Sequence, residues 1–287
     1  MGPDPNIVGT KGVAGNFWTT HDTWPVSKGL ALYLNEDLSL SSTAPAAASS
    51  TTYKYDPKNP VPTLGGNNLE VKPCGPVVQN PIENRSDVLL HTTAPLAEDT
   101  YVTGAIFATL FVSSDMVDTD FTAKLTDVYP DGSSHLIQDG VYRMRWRAGN
   151  EGDGTFWPAA PTLMTPGDTY KINVDLWNTS YVFNAGHSIR LAISSSNSPR
   201  FKANPNLGLD LNEEDKHAPK VATNTLFYGG ATPSHITLPT VTKAQLPKKI
   251  LLLNKDSVGS EAAAALLPAA EKLTRGVAKM LRDRVGP

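Results

Sequence analysis

The sequence predicts an all-β protein, a β-sandwich of short antiparallel strands. Several stretches alternate apolar and polar residues with a period of two, which is typical of strands with one buried face. The chain also carries 23 prolines and 22 glycines, many in clusters that mark turns between strands. The alternating strand and helix segments of an α/β fold are missing. Together these observations favour sheet-on-sheet packing.

The predicted elements run in order along a sandwich placed at residues 16–242, after a Gly- and Pro-rich linker at residues 1–15. In Thr169–Trp177 the alternation puts Ile172, Val174 and Leu176 on one face. Eight or more short strands separated by turn residues are typical of a sandwich. The predicted strands are Gly29–Leu34, Val88–Leu90, Tyr101–Val112, Phe121–Val128, Val141–Trp146, Thr169–Trp177, Ser188–Ser194, Thr225–Tyr228 and His235–Leu238.

A hairpin is predicted at the centre of the chain. Phe121–Val128 and Val141–Trp146 both alternate, and Pro130–Gly132 supplies the turn after the first run. A second turn is predicted at Gln138–Gly140. Alternation puts Phe121, Ala123, Leu125 and Asp127 on one face, and Thr122, Lys124 and Thr126 on the other.

The C-terminal residues 243–287 differ in charge from the rest. They hold nine Lys or Arg and four Asp or Glu, a net of +5, which leaves 16 basic and 24 acidic residues elsewhere, a net of −8. Ala262–Val285 is predicted to be helical, with an interruption at Pro268. Its apolar stripe consists of Leu273, Val277, Met280 and Leu281. A helix of this kind either docks on its own sandwich or binds a partner or a membrane surface.

Composition narrows the function classes. A hydrophobic content of 40% suffices for a core, and a net charge of −3 argues against nucleic acid as a partner. Cys74 is the single cysteine, which excludes an intrachain disulfide and a multi-cysteine zinc site. No apolar run reaches the length of a membrane span, so a membrane is not expected as a partner. No secretory signal follows Met1, and a cytoplasmic location is predicted.

Four motifs in a fixed order resemble the C-terminal β-sandwich of the CocE/NonD and Xaa-Pro dipeptidyl-peptidase group of serine hydrolases. The resemblance covers roughly Asn16–Val241 and rests on all four motifs together. They are Asp56–Pro57 with Pro60–Gly66, then Arg85–Leu89, then Ser113–Gly132, then Ser194–Phe201 running to Asn204–Asn206.

The resemblance implies a jelly-roll, galactose-binding-like domain that accompanies an α/β-hydrolase domain, in cis or in trans, and helps to wall its substrate cleft. Enzymes of this group hydrolyse esters, amides or Xaa-Pro dipeptides, and their nucleophile, acid and histidine lie in the α/β portion. The Gly-x-Ser-x-Gly elbow is absent from this sequence, since Gly132–Ser134 and Gly259–Glu261 both lack the second glycine. No catalytic residue is therefore carried over, and no cofactor is expected.

Polar residues in two of the motifs are candidates for loop-tying or cleft-facing roles. Asp115, Asp118 and Asp120 form a spaced carboxylate set that suits a hard cation, but the glycine and the distal glutamate of a calcium loop are missing. Backbone hydrogen bonds are the other interpretation, and no metal site is predicted. Arg200 with Asn204 and Asn206 has two interpretations as well, hydrogen bonds between loops or ligand contact. The six histidines show no metal-ligand spacing.

Two other functions stay open. A carbohydrate-binding sandwich would use exposed aromatic residues, drawn from Trp18, Trp24, Trp146, Trp157 and Trp177. A protein-binding module would recruit its partner through the basic tail. Self-association into a homo-oligomer is not decided by the sequence.

Overall fold

A computed structural model describes residues 17–18, 28–149, 161–242 and 251–252. These residues form thirteen strands and three short helical segments. The strands are β1 (Phe17–Trp18), β2 (Lys28–Leu34), β3 (Leu40–Ser41), β4 (Ser49–Tyr55), β5 (Leu89–Thr92), β6 (Thr100–Ser114), β7 (Asp120–Val128), β8 (Ser134–Arg143), β9 (Tyr170–Phe183), β10 (Ser188–Ser194), β11 (Ala222–Tyr228), β12 (His235–Val241) and β13 (Leu251–Leu252). The helical segments are α1 (Asn80–Glu83), α2 (Leu211–Glu214) and a 3₁₀ segment, Met144–Gly149.

Two antiparallel sheets make up most of the fold, so the all-β prediction is confirmed. The small sheet has the order β5-β10-β7-β8. The large sheet has the order β3-β2-β12-β6-β11-β4, and β9 pairs with β6. β12 and β11 pair with successive stretches of β6, up to Thr109 and from Phe111 onward. A separate pair joins β1 to β13.

One apolar core contains residues of both sheets, because their strands alternate as the sequence predicts. Phe121, Ala123 and Leu125 of β7 are fully buried in it, opposite Ile172 and Leu176 of β9. In β6, Val102, Ile106, Ala108, Leu110 and Val112 are also fully buried. The predicted faces of β7 and β9 are therefore confirmed.

The predicted second turn at Gln138–Gly140 is wrong, because β8 runs without interruption from Ser134 to Arg143. The chain reverses only at residues 129–133, where Gly132 N donates to Tyr129 O at 2.8 Å. Gly140 serves a different purpose. A Cβ atom built there would lie 2.1 Å from the carbonyl oxygen of Asp175 in β9, so glycine allows β8 to press against β9. The predicted strand to Trp146 also ends early, at Arg143, where the 3₁₀ segment begins.

The outer face of the small sheet is covered by residues 56–88. Every residue of β7 is buried, including Thr122, Lys124 and Thr126 on the face away from the core. The covering segment reaches the edge of β8, where Gln79 N donates to Ser134 O at 2.7 Å. At the opposite edge of the sheet, Thr92 N donates to Leu38 O at 3.0 Å. The small sheet is thus enclosed on its outer face and at both edges.

Two predictions fall largely outside the described residues. The linker at 1–15 and the helix at Ala262–Val285 lie there entirely. Of residues 243–287 only Leu251–Leu252 are described, as strand β13. Within the described part of the chain, the helices are all too short to traverse a lipid bilayer.

Candidate functional site

Two aspartates at or just before the start of β7 each accept hydrogen bonds from an arginine at or just after the end of β8. Asp120 is the register partner of Arg143, whose Nε and Nη2 donate to Oδ1 and Oδ2, both at 2.9 Å. Arg145 Nε donates to Asp118 Oδ2 at 2.7 Å, and its backbone N–H donates to Oδ1 at 2.9 Å. Both carboxylates are buried. Paired donors of this kind fix a carboxylate in position and direction.

Asn204 joins the two ion pairs. Its Nδ2 donates to Asp118 Oδ2 at 2.9 Å and to Asp120 Oδ1 at 2.7 Å, and its side chain is fully buried. Its Oδ1 accepts from the backbone N–H of Asn206 at 2.9 Å. One amide group therefore uses both ends to tie the loop after β10 to the start of β7.

The same cluster includes Glu214 and Asn206. Arg145 Nη2 donates to Glu214 Oε1, so this guanidinium bridges two buried carboxylates. Asn206 Nδ2 donates to Lys220 O at 2.7 Å, and its φ of 63° is one that asparagine tolerates. We call Asp118, Asp120, Arg143, Arg145, Asn204, Asn206 and Glu214 the carboxylate cluster.

Negative charge exceeds positive charge in the carboxylate cluster, which has three carboxylates and two guanidinium groups. Burial raises the pKa of Asp120, and hydrogen bonds and charge from Arg143 oppose that rise. All three carboxylates are nearly inaccessible to solvent. The cluster consequently connects loops and strand ends in the interior.

Arg200 belongs to a second cluster, on the covered face of the small sheet. Its Nη1 donates to Asp139 Oδ1, while Asn197 Nδ2 donates to Asp139 Oδ2 at 2.7 Å. The backbone N–H of Arg200 donates to Thr63 Oγ1 at 3.1 Å. The structure therefore brings four of the five candidate residues together and places Arg200 apart from them.

A serine and a histidine lie close together at the tip of the β7–β8 hairpin. Ser133 Oγ is 3.1 Å from His135 Nε2, but it also lies 2.6 Å from Asp131 Oδ1. The Nδ1 atom of His135 is buried and has no hydrogen-bond partner within the part of the chain that the structure describes. A catalytic triad needs an acid at that nitrogen to orient the imidazole, so the contact does not form one.

A buried histidine–aspartate pair lies near this hairpin. His187 Nδ1 is 2.9 Å from Asp127 Oδ1, and Tyr181 donates its hydroxyl to Asp127 Oδ2 at 2.8 Å. Burial raises the pKa of both Asp127 and Tyr181. The hydroxyl of Tyr181 contacts the aspartate and not the imidazole, so the arrangement differs from a serine-hydrolase triad, in which the nucleophile bonds to the histidine.

One exposed surface carries large aromatic side chains. Trp177 is 58% exposed and Phe107 is 40% exposed, both on the large sheet. A register shift between Ala105 and Phe107 marks a bulge where β6 meets β9. Trp177 has a φ of 68° there, and its N–H donates to Asp175 Oδ1 at 2.7 Å. Trp146 is partly buried, whereas Trp24 and Trp157 lie outside the described residues.

Comparison with known families decides the assignment. The model of the C-terminal non-catalytic domain of X-Pro dipeptidyl-peptidases matches residues 6–237. The chain belongs to this family. The relatives described below that contain this domain are larger hydrolases, so the chain is an accessory, non-catalytic domain of the CocE/NonD type.

Curated relatives of this X-Pro dipeptidyl-peptidase C-terminal domain are much longer than the chain. A cocaine esterase of Rhodococcus sp. is 42% identical over 203 residues, which cover 70% of this chain and 34% of the esterase. A putative serine esterase of Mycobacterium bovis is 30% identical over 208 residues, covering 66% of this chain and 32% of that protein. The chain thus spans about a third of the length of these relatives.

Solved structures show a similar fold within longer chains. An aminopeptidase from a marine sediment archaeon, Thaumarchaeota archaeon, has a TM-score of 0.67 and 25% identity, covering 78% of this chain and 38% of that one. An α-amino acid ester hydrolase has a TM-score of 0.63 and 24% identity, covering 74% and 36%. A CocE/NonD family hydrolase from Staphylococcus aureus has a TM-score of 0.55 and 14% identity, covering 76% and 37%, and so shares the fold.

Sequence reasoning missed four charged members of the two clusters in this family domain, namely Asp139, Arg143, Arg145 and Glu214. A signal for two of them was present. Asp118 and Asp120 are spaced like Arg143 and Arg145; the aspartates come just before the first predicted strand of the hairpin, and the arginines lie in the second. Among the described residues, no group of three or more His, Cys, Asp or Glu could hold a metal ion.

Proposed function

We propose that the chain is the C-terminal jelly-roll domain of a larger CocE/NonD-type hydrolase, whose α/β domain carries the nucleophile. The match to one third of each curated relative carries this proposal. The sequence contains no nucleophile elbow, and within each of the two buried clusters the charged side chains form ion pairs with one another. In the full protein, the domain would pack on the α/β domain and form part of the cleft that admits an ester, an amide or an Xaa-Pro dipeptide.

The outer face of the large sheet is our candidate surface for the α/β domain. The outer face of the small sheet is already covered by residues 56–88, whereas the aromatic side chains of Phe107 and Trp177 on the large sheet are exposed to solvent. The positive φ of Trp177 costs backbone energy, and such conformations cluster at functional positions. Aromatic residues of this kind commonly dominate the energy of protein–protein contacts.

A chimera tests both parts of the proposal. The matching third of the Rhodococcus esterase is replaced by this chain, and kcat/KM is measured with 4-nitrophenyl acetate. We expect turnover by the chimera and none by the chain alone. Replacing Phe107 and Trp177 together by serine should lower kcat/KM at least tenfold. The matched control is Leu211→Ser, since Leu211 is 48% exposed but lies on α2, away from the large sheet.

Two outcomes would contradict the proposal. Turnover by the chain alone that disappears when one of its serines is replaced would make it an enzyme in its own right. An active chimera that tolerates the double substitution as well as Leu211→Ser would reject the proposed surface.

Trp177 also keeps the carbohydrate-binding alternative testable. Exposed tryptophan can stack on a sugar ring, and Trp177 is exposed enough to do so. Titration of the chain with a panel of oligosaccharides should give no binding if the domain serves an α/β partner. Micromolar binding that Trp177→Ser abolishes would favour the carbohydrate-binding function instead.

The domain boundaries are part of the same proposal. We take residues 1–15 as the connection to the preceding domain and residues 16–242 as the sandwich, with a basic tail at 243–287. The cytoplasmic location and the tail helix stay predictions from the sequence, and self-association into a homo-oligomer stays an open alternative.

A further inference from the structure

Strand β9 contains a bulge at Trp177, in the large sheet. Asp175 pairs with Phe107 of β6, and Asn178 pairs with Ala105. Between these two pairs β9 has two residues and β6 has one, so β9 carries one extra residue. Trp177 has a φ of 68° there. Bulged residues in this left-handed conformation are usually glycine, because a Cβ atom disfavours it.

Two side chains hold this bulge in place. Asp175 Oδ1 accepts a hydrogen bond from the backbone N–H of Trp177 at 2.7 Å. From the neighbouring strand β8, Gln138 Nε2 donates to the carbonyl oxygen of Asn178 at 2.9 Å. One bond fixes the backbone before the Cα atom of Trp177, and the other fixes it after that atom. A bulge that is tied on both sides directs its side chain to one place.

The indole of Trp177 contributes little to the interior of the domain. Its side chain is 58% exposed, whereas Leu176 beside it is fully buried in the core. Asparagine or glycine would adopt the same φ at a lower cost, so the fold does not require tryptophan at this position. Phe107, on the adjacent strand, is 40% exposed as well. A large aromatic residue in an unfavourable backbone conformation, with its ring in solvent, indicates a contact outside the domain.

We propose that Asp175 and Gln138 are positioning residues, which hold Trp177 so that its indole ring enters an apolar pocket of the α/β domain. This inference rests on the proposed function, which assigns the outer face of the large sheet to that domain. A ring that is already fixed loses little freedom on docking, so its contact costs less entropy than that of a mobile ring. An apolar pocket fits the indole because the ring is apolar except for its one N–H group.

A double-mutant cycle in the esterase chimera tests whether Asp175 acts through Trp177. Asp175→Ala should lower kcat/KM about fivefold, because a ring that is no longer held docks less often in the productive direction. In a Trp177→Ala background the same substitution should change kcat/KM by less than about 1.5-fold. Gln138→Ala should behave in the same way in both backgrounds. Asp175→Asn keeps an acceptor oxygen and should stay within about twofold of the parent. The matched control is Asp131→Ala, which should leave kcat/KM unchanged, since Asp131 Oδ1 likewise accepts the backbone N–H of Ser133, at 2.9 Å, but in the β7–β8 hairpin.

Hydrogen exchange in the intact chain measures the positioning without the chimera. Asp175→Ala should speed exchange of the Trp177 amide by about tenfold or more, because the amide loses its acceptor, whereas Asp175→Asn should not. Trp177→Asn should unfold at a higher urea concentration than Trp177→Ala, since asparagine tolerates the positive φ. Both variants should nevertheless give the same low kcat/KM in the chimera. A purely structural role of the ring would instead make kcat/KM follow stability.

Failure of this inference and failure of the proposed function give different results. If the chimera tolerates replacement of both Phe107 and Trp177, the proposed surface is wrong and the positioning role is wrong with it. If Trp177→Ala lowers kcat/KM but Asp175→Ala costs nothing, or costs the same in both backgrounds, the surface stands and the positioning role is refuted. Unchanged exchange of the Trp177 amide in Asp175→Ala would refute that role too, and this measurement needs no active chimera.

Discussion

Asn204→Asp would test whether the carboxylate cluster depends on the amide group that joins its two ion pairs. The substitution keeps the shape of the side chain and replaces the amide that donates to Asp118 and Asp120. Hydrogen bonds to charged groups contribute about 1.5–3 kcal/mol each, so the loss of two should cost about 3–6 kcal/mol of unfolding free energy. Asn204→Ala should cost a similar amount, because it removes the same two bonds.

The aspartate variant differs from the alanine variant in its pH dependence. A carboxyl group between Asp118 and Asp120 has a folded-state pKa above its unfolded value, because like charges favour the protonated form. The folded state therefore binds more protons than the unfolded state at pH values between the two pKa values. Stability relative to wild type should fall by about 1.4 kcal/mol per pH unit as pH rises through that range. Asn204→Ala should show no such slope.

Urea unfolding of the three proteins between pH 5 and pH 8 measures these differences. Asn178→Asp is the control, since Asn178 is exposed on β9 and lies away from the carboxylate cluster. It should change stability by less than about 0.5 kcal/mol. A cost below 1 kcal/mol for both Asn204 variants, or parallel pH profiles for aspartate and alanine, would refute the assigned role of Asn204.

Two further stability predictions follow from the interior. Gly140→Ala should lower the free energy of unfolding by about 3 kcal/mol or more, because its Cβ would clash with the Asp175 carbonyl. The control is Gly29→Ala, where the nearest atom is a Thr237 methyl at 3.1 Å, and it should lower the free energy of unfolding much less. Equal losses for the two variants in urea unfolding would contradict the close approach of β9 to Gly140. His91 is fully buried, neither of its ring nitrogens has a hydrogen-bond partner among the described residues, and burial lowers its pKa to about 4. Its unfolded form takes up a proton near pH 6.5 while the folded form stays neutral, so stability should fall by up to about 3 kcal/mol as pH drops from 6.5 towards 4. His91→Leu should flatten that part of the urea-unfolding pH profile, and an unchanged slope would be evidence against the neutral buried imidazole.

Strands such as β7 and β9 were predictable because the alternation of their residues reflects burial directly, whereas β1, β3, β4 and β13 were not predicted. Phe121, Ala123 and Leu125 alternate with polar residues, and a period of two with one apolar face indicates a β-strand that buries that face. The D-x-D and R-x-R spacings could have been paired in the same way. Asp120 and Arg143 are register partners, and the hairpin prediction put Asp120 directly before its first strand and Arg143 within its second.

Gly140 shows where local pattern fails. Glycine suits a turn, since it adopts positive φ, and it equally suits a close approach of another strand, since it lacks Cβ. The sequence Gln-Asp-Gly favoured the turn. The decisive contact comes from Asp175, 35 residues later, and no local signal reports it.

The covered face of the small sheet escaped prediction for a related reason. Thr122, Lys124 and Thr126 are polar, so alternation identified a second face but gave no indication that residues 56–88 would bury it. That segment has no regular period of its own. Its position is set by hydrogen bonds such as Gln79 N to Ser134 O and by packing over β7 and β10.

Enclosure of the small sheet also has a consequence for assembly. A strand at a sheet margin usually exposes unpaired N–H and C=O groups that can recruit another chain. Here β8 contacts residues 77–79 and β9 along its margin, and Thr92 of β5 bonds to Leu38. Fibril-like growth and strand exchange through this sheet would first require those contacts to open. Of these two sheets, the large one is therefore the more open to intermolecular strand pairing, since β4 is a terminal strand there.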